Sequence, residues 1–131
     1  MSQQIIEHWL QGFVDTALAG DLDAHMGMIS RDVAVLGVPG FASLGFDDWY
    51  AQCAHEFPQR LIRALEYSGV RLRSADGTNI LFKALEKNTT ADGTITLQGV
   101  EMLLRRDADE HWRLQQLRLL PDDEARHDGL V

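Results

Sequence analysis

Ala75-Asp76-Gly77-Thr78 and Ala91-Asp92-Gly93-Thr94 are the same tetrapeptide, and each stands between two runs in which apolar and polar residues alternate. An Asp-Gly pair flanked by period-two alternation signals a β-hairpin, because tight hairpin turns need residues that tolerate positive φ. A related break at Asp107-Ala108-Asp109-Glu110 follows the next run. The second half therefore reads as four consecutive antiparallel strands, over 60–73, 78–89, 94–106 and 111–120. At about 3.3 Å per residue a strand of a dozen residues runs roughly 40 Å, and a twisted sheet of that length has to curl. Gly69 and Gly99 lie inside these strands, where a glycine costs stability unless a bend or bulge uses it. Both are expected kink points.

Upstream the periodicity changes. Ile5, Ile6, Trp9, Leu10, Phe13, Val14, Ala17 and Leu18 recur at spacings of three and four, which gives a helix over 4–19 with one wide apolar face. Gly20 is placed to cap it, and Asp21 opens a short second helix through Ala24, Met28 and Ile29. Val33 to Val38 reads as a short strand stopped by Pro39-Gly40. A third helix starts at Asp47 or Asp48, carries Phe46, Trp49, Tyr50, Cys53 and Phe57 on one stripe, and ends at Pro58. The expected fold class is α+β: a strongly curved antiparallel sheet, four long meander strands plus one short strand, wrapped around three helices from the N-terminal half. Such a sheet, closed on one side by helices, makes a cone with an internal pocket. Residues 1–131 read as one domain, with an acidic, solvated tail over 121–131.

The net charge of −8 is uneven. Residues 1–57 hold eight acids against Arg31 alone, residues 58–120 eight acids against ten Arg and Lys, and residues 121–131 four acids against Arg126. This excess repels phosphate backbones, so no nucleic-acid partner is expected. The N-terminus has no basic residue ahead of Ile5 and Ile6, and Glu7, His8, Gln11 and Asp15 interrupt the apolar stretch. Neither a secretory signal nor a membrane partner is expected. With Cys53 the single cysteine, no internal disulfide can form, and a cytoplasmic setting is the expectation.

In the strand over 94–106 both phases are apolar, Ile95, Leu97 and Leu103 on one face and Val100, Met102 and Leu104 on the other. One face meets the helices. The other needs a cover, and a second copy of the chain is the simplest, so a homodimer through the sheet is expected.

At Gly20-Asp21-Leu22-Asp23, Met28-Ile29-Ser30-Arg31-Asp32-Val33 and Gly37-Val38-Pro39-Gly40 the chain resembles the NTF2-like superfamily, which includes SnoaL-like and ketosteroid-isomerase-like proteins. The element order over 4–120 agrees with that cone-shaped fold. The resemblance implies a fold that hosts isomerases, cyclases, dehydratases, hydrolases, ligand binders and association modules. Its residues carry over poorly. The tyrosine that ketosteroid isomerases use as an oxyanion donor falls at Phe13, and their general-base aspartate at Gly37; only the second donor, a protonated acid, finds a counterpart near Glu101. The Glu-His-Trp triplet that SnoaL-like cyclases carry on the last strand resembles Glu110-His111-Trp112, which stands too early; Gln115, Gln116 and Pro121 take the family's acid, histidine and aspartate places.

Glu66 falls in phase with Ile62, Ala64 and Val70, and Glu86 with Ile80, Phe82 and Ala84. If those phases face the cavity, both are carboxylates in apolar surroundings, whose raised pKa suits a general acid or base. Otherwise they pair at the rim with Arg63, Arg71 or Lys87. Glu101, Glu66 and Glu86 are thus the catalytic candidates. Trp9, Phe13, Trp49, Tyr50 and Phe57 are the candidate pocket lining, or simply core, while Trp112 is expected to plug one end of the sheet. The five histidines show no paired ligand spacing, Cys53 and His55 point apart on one helix, and glycine-rich phosphate loops are absent, so no metal and no cofactor is expected. These residues suit a small hydrophobic ligand held in the pocket, with cofactor-free proton transfer by a buried glutamate if it is transformed, as in an isomerase, dehydratase or hydrolase. The alternative is an association module whose own aromatics fill the pocket.

Overall fold

The computed structural model describes residues 1–130, in the order α1 (Ser2–Ala19), α2 (Leu22–Met26), β1 (Ile29–Leu36), α3 (Phe46–Glu56), β2 (Ile62–Ala75), β3 (Asn79–Thr90), β4 (Ile95–Arg106), β5 (Trp112–Leu119) and α4 (Asp122–His127). Local chemistry explains the helix starts. The Asp21 carboxylate accepts from Ala24 N at 3.1 Å at the head of α2, and Gly45 N donates to the Asp48 carboxylate at 2.9 Å at the head of α3.

All five strands form one sheet in the order β1-β5-β4-β3-β2. The meander β2 to β5 is antiparallel, as its turns require, but β1 joins the edge parallel to β5, so the sheet is mixed rather than purely antiparallel. Parallel pairing follows from the α3–β2–β3–β4 excursion between the two strands, which returns the chain running the same way.

The inner face, turned toward α1, carries Ile80, Phe82, Ala84, Val100, Met102, Leu104 and Leu114, all essentially inaccessible, packed with Ile6, Trp9, Leu10 and Phe13. Truncating one of the larger members, such as Phe82, to alanine costs about 3–5 kcal/mol in a core of this kind. Three register shifts break the β2–β3 ladder, between Ile62 and Ala64, Ser68 and Arg71, and Leu72 and Ser74. Gly69 sits in the second with φ 61°, a conformation glycine adopts without cost, so it is a bulge residue.

Gly99 serves differently from the expectation. The β3–β4 register runs unbroken through Leu85↔Gly99, and a Cβ there would stand 2.9 Å from Ala125 Cβ. The glycine makes room for α4. The stretch expected to be a solvated tail instead forms this helix against the outer face, burying Leu120, Ala125 and Leu130 together; Val131 lies outside the described residues. Charges hold it there: Lys83 Nζ contacts Asp128 at 2.6 Å and Glu124 at 3.1 Å, and Arg118 joins Glu124 at 2.7 Å to Glu101 at 3.1 Å. The outer face is therefore covered in part by the chain's own C-terminal helix, while Ile95 and Leu97 stay more than half exposed. No helix among the described residues is long and apolar enough to cross a membrane.

Candidate functional site

Between α1, α3 and the β2–β3 end of the inner face the helices stand off the sheet and leave a cavity of ≈ 420 Å³. Phe13 and Ala17 reach it from α1, His25 from α2, Trp49, Cys53 and Phe57 from α3 and its end, and Tyr67, Glu86 and Asn88 from the sheet. Val38 and Leu44 border it from the loop after β1, and Asp48, Gln52 and Glu56 from one side of α3. Its rings form a continuous wall: Phe13 lies 4.7 Å from His25, 6.0 Å from Trp49 and 6.2 Å from Tyr67 between centroids, and His25 packs edge-on to Phe57 at 5.3 Å.

Two polar groupings interrupt this apolar surface. Tyr67 Oη donates to Glu86 Oε2 at 2.8 Å, and the two residues are direct partners across the β2–β3 pair. Burial raises the Glu86 carboxyl above its ordinary 4.5, offset in part by the tyrosine's hydrogen bond, and pushes the Tyr67 phenol well above 10.0. Two residues further along β3 on the same face, the Asn88 amide oxygen is buried with no partner among the described residues. A stranded acceptor of this kind costs about 1–3 kcal/mol unless something donates to it.

The second grouping is His25. Trp49 Nε1 can only donate, and it points at His25 Nε2 at 3.3 Å, so that nitrogen accepts and Nδ1 carries the hydrogen. Nδ1 then donates to Thr16 Oγ1 at 3.0 Å, and the threonine hydroxyl donates in turn to Gly12 O at 2.9 Å. Burial lowers the His25 pKa from 6.5 to about 4, so the ring is neutral with both nitrogens engaged. It ties α2 to α1 and α3 and is in no position to act as a base. Cys53 is buried as well, its thiol pushed up to about 11, which makes it a poor nucleophile.

The candidates from sequence separate cleanly. Glu86, Phe13, Trp49 and Phe57 line the cavity. Glu66 does not: its side chain is 66% exposed and lies 3.9 Å from Lys87 on the outer face. The one-residue insertions at Ile62/Ala64 and Ser68/Arg71 flip the strand's phase twice, so Ile62 and Val70 pack inward while Glu66, between them, points out. Glu101 pairs with Lys83 in register and forms a two-bond contact with Arg118 under α4, also on the outer face. Trp9 is buried behind Phe13, stacked on it at 4.9 Å, and borders a separate groove along α1. Tyr50 is half exposed over a different cleft, charged and ≈ 860 Å³ in volume, in which Arg113 is paired with Asp107 and which Arg31 and Arg105 also line. That hollow is larger, but its part-buried carboxylate, Asp107, is already paired with Arg105 and Arg113. Trp112 packs against the core from the start of β5.

Tyr67, Asn88 and His25 escaped the sequence reading. Extending the register set by the Ala75↔Ile80 turn would place Tyr67 opposite Asn88; two bulges shift it to Glu86. No local signal in the sequence counts bulges.

No family model matches the chain, and no curated protein matches it by sequence. Solved structures match its fold. An NTF-2 like protein of unknown function from Shewanella oneidensis MR-1 aligns with a TM-score of 0.76 at 15% identity, over 91% of this chain and 98% of its own. An NTF2-like protein with a cystatin-like fold from Novosphingobium aromaticivorans gives 0.73 at 18% identity, over 99% and 88%. A protein provisionally assigned as a scytalone dehydratase, from the same organism, gives 0.72 at 13% identity, over 89% and 81%. The chain therefore has the NTF2-like, cystatin-like α+β fold, and at these identities the likeness is one of fold.

Proposed function

We propose that the protein binds a small, largely apolar organic molecule in the aromatic cavity and exchanges a proton with its polar end through Glu86, without a cofactor. The observation that carries this is a part-buried carboxylate with a raised pKa, held by a tyrosine at 2.8 Å, in a cavity walled mostly by rings and aliphatic groups. A carboxylate whose charged form is disfavoured accepts a proton more readily than an exposed one. Tyr67 fixes Oε2, which leaves Oε1 to meet the ligand. Ring packing on Phe13, Trp49 and Phe57 supplies most of the affinity and the polar pair the orientation. One fold neighbour is assigned as a dehydratase, a reaction that requires proton transfer of this kind, and this lends the catalytic half of the reading support by analogy.

The test is mass spectrometry of small molecules released from the purified protein on denaturation, followed by binding of any species found to Glu86→Gln and Glu66→Gln variants. Weaker binding or lost turnover in Glu86→Gln, with Glu66→Gln like wild type, is expected. Equal behaviour of both variants would defeat the reading.

A further inference from the structure

We infer that the polar end of the cavity's ligand is a protonated amine, so that the site is one for an organic ammonium rather than for a carboxylate, a phosphate or a neutral carbonyl compound. This rests on the reading of the cavity as a ligand site and goes further by counting what its wall offers. Most donors are already committed: the Tyr67 hydroxyl to Glu86, the Trp49 indole to His25, and one hydrogen of the Gln52 amide to Glu56 at 2.9 Å, which leaves only neutral amide N–H groups, of Asn88 and Gln52, unused. The unused acceptors include a carboxylate oxygen. Glu86 Oε1 and the buried Asn88 Oδ1 have no partner among the described residues, and β3 places both residues on one face, two positions apart. A ligand that satisfies the pair has to bring hydrogen-bond donors, and an ammonium brings three.

The charges agree with the hydrogen bonds. Asp48, Glu56 and Glu86 line the cavity, no Lys or Arg does, and the one histidine is held neutral. The nearest base by sequence, Lys87, points to the outer face. An anion entering this field would meet three carboxylates and no counter-ion. A cation would give the part-buried Glu86 a counter-charge, and would sit against the rings of Tyr67 and Phe13, whose faces attract cations. Proton exchange then has a defined form: an ammonium N–H bond breaks as a Glu86 O–H bond forms, leaving a neutral amine and a neutral carboxylic acid in the cavity.

The experiment uses three probes of one skeleton, 2-naphthylmethylamine, 2-naphthylmethanol and 2-naphthoate, titrated calorimetrically at pH 7 into wild type, Glu86→Gln and Glu66→Gln. The amine is expected to bind wild type on the order of tenfold tighter than the alcohol, as both can donate to the Glu86 carboxylate but only the ammonium brings the opposite charge, with no saturable binding of naphthoate. In Glu86→Gln the amine's advantage disappears, while saturable alcohol binding that persists in that variant shows the cavity intact and Glu66→Gln, altered on the outer face, keeps the wild-type preference. Amine and alcohol binding equally to wild type would overturn the ammonium assignment and leave the cavity reading standing. Naphthoate binding as tightly as the amine, or an amine preference that survives Glu86→Gln, would also overturn it. Saturable binding of none of the three would overturn both.

Discussion

The Tyr67 hydroxyl donates to Glu86 at 2.8 Å from the directly opposing position on the neighbouring strand, so a single cross-strand pair supplies both the acid and the group that holds it. Removing the hydroxyl tests the coupling. In Tyr67→Phe the Glu86 pKa rises further, since the tyrosine's hydrogen bond is what lowers it against burial. Stability falls by about 1 kcal/mol. Carboxyl-carbon NMR titration of labelled glutamate reads the first and urea unfolding the second; a Glu86 pKa that stays put or drops would show that the bond does not stabilise the carboxylate.

His25 makes stability depend on pH. Its folded pKa of about 4 lies below the ordinary 6.5, so between those values the unfolded chain binds more protons, and stability rises with pH across that window. The contribution is complete above 6.5 and lost as pH falls toward 4, by up to about 3 kcal/mol. Glu86, raised above 4.5, acts in the opposite sense, its contribution present at low pH and lost as pH rises through its folded value. The other titratable groups at the cavity are Tyr67 from β2 and Asp48, Cys53 and Glu56 from α3. Unfolding free energies from pH 4 to 7 in Glu86→Gln, with and without His25→Gln, isolate the histidine: the slope is expected to be steep in the first and flattened in the double variant.

The resemblance to ketosteroid-isomerase-like proteins aligns their general base with Gly37, and the backbone here leaves no room for an aspartate at that position. The φ of Gly37 is 88°, and a Cβ would lie 2.5 Å from Leu119 O across the β1–β5 edge. Gly37→Asp is expected to cost more than about 2 kcal/mol through backbone strain and collision, without adding base chemistry. A thermal melt unchanged from wild type would contradict this.

The clasp of α4 is separable from the sheet. Gly99→Val forces a branched side chain into the 2.9 Å approach to Ala125, and Lys83→Met removes the cation shared by Glu124 and Asp128. Each is expected to lower the protection of amides 122–130 in hydrogen exchange while β3 and β4 keep theirs, with Lys83→Met costing about 1–3 kcal/mol. Loss of protection throughout would mean that α4 and the sheet unfold as one unit.

The rest of the outer face, where Ile95 is 57% and Leu97 56% exposed beside α4, is proposed to bury itself against a second copy of the chain. Light scattering at micromolar concentration is expected to give twice the mass of one chain, and Leu97→Lys to halve it. A wild-type mass of one chain would rule the homodimer out.

The Asp-Gly turns, the helical stripe of α1 and the alternation of β3 and β4 could be read directly, because each depends on residues within a few positions of one another. Glu86 was legible for the same reason, its phase being shared with Ile80, Phe82 and Ala84 along an unbroken strand. Which of its two expected places Glu66 takes, the cavity or a pair with Lys87, was not legible because β2 is broken: each bulge adds one residue, and one residue exchanges the faces of a strand. The C-terminal segment looked solvated because its acids outnumber its apolar residues, yet two of those acids, Glu124 and Asp128, pair with Lys83 and Arg118.

The sequence by itself determined the hairpins, the helix stripes, the division between an acidic first half and a more basic sheet, and the presence of a carboxylate in an apolar phase of β3. Tertiary structure alone decided that Tyr67 meets Glu86, that His25 spends both nitrogens on Thr16 and Trp49, and that Glu101 turns to Arg118 instead of the cavity. The reason is range. Periodicity and turn chemistry act over a few residues, whereas cross-strand partners depend on the sum of every bulge between them and the turn, and burial depends on which elements pack over each face.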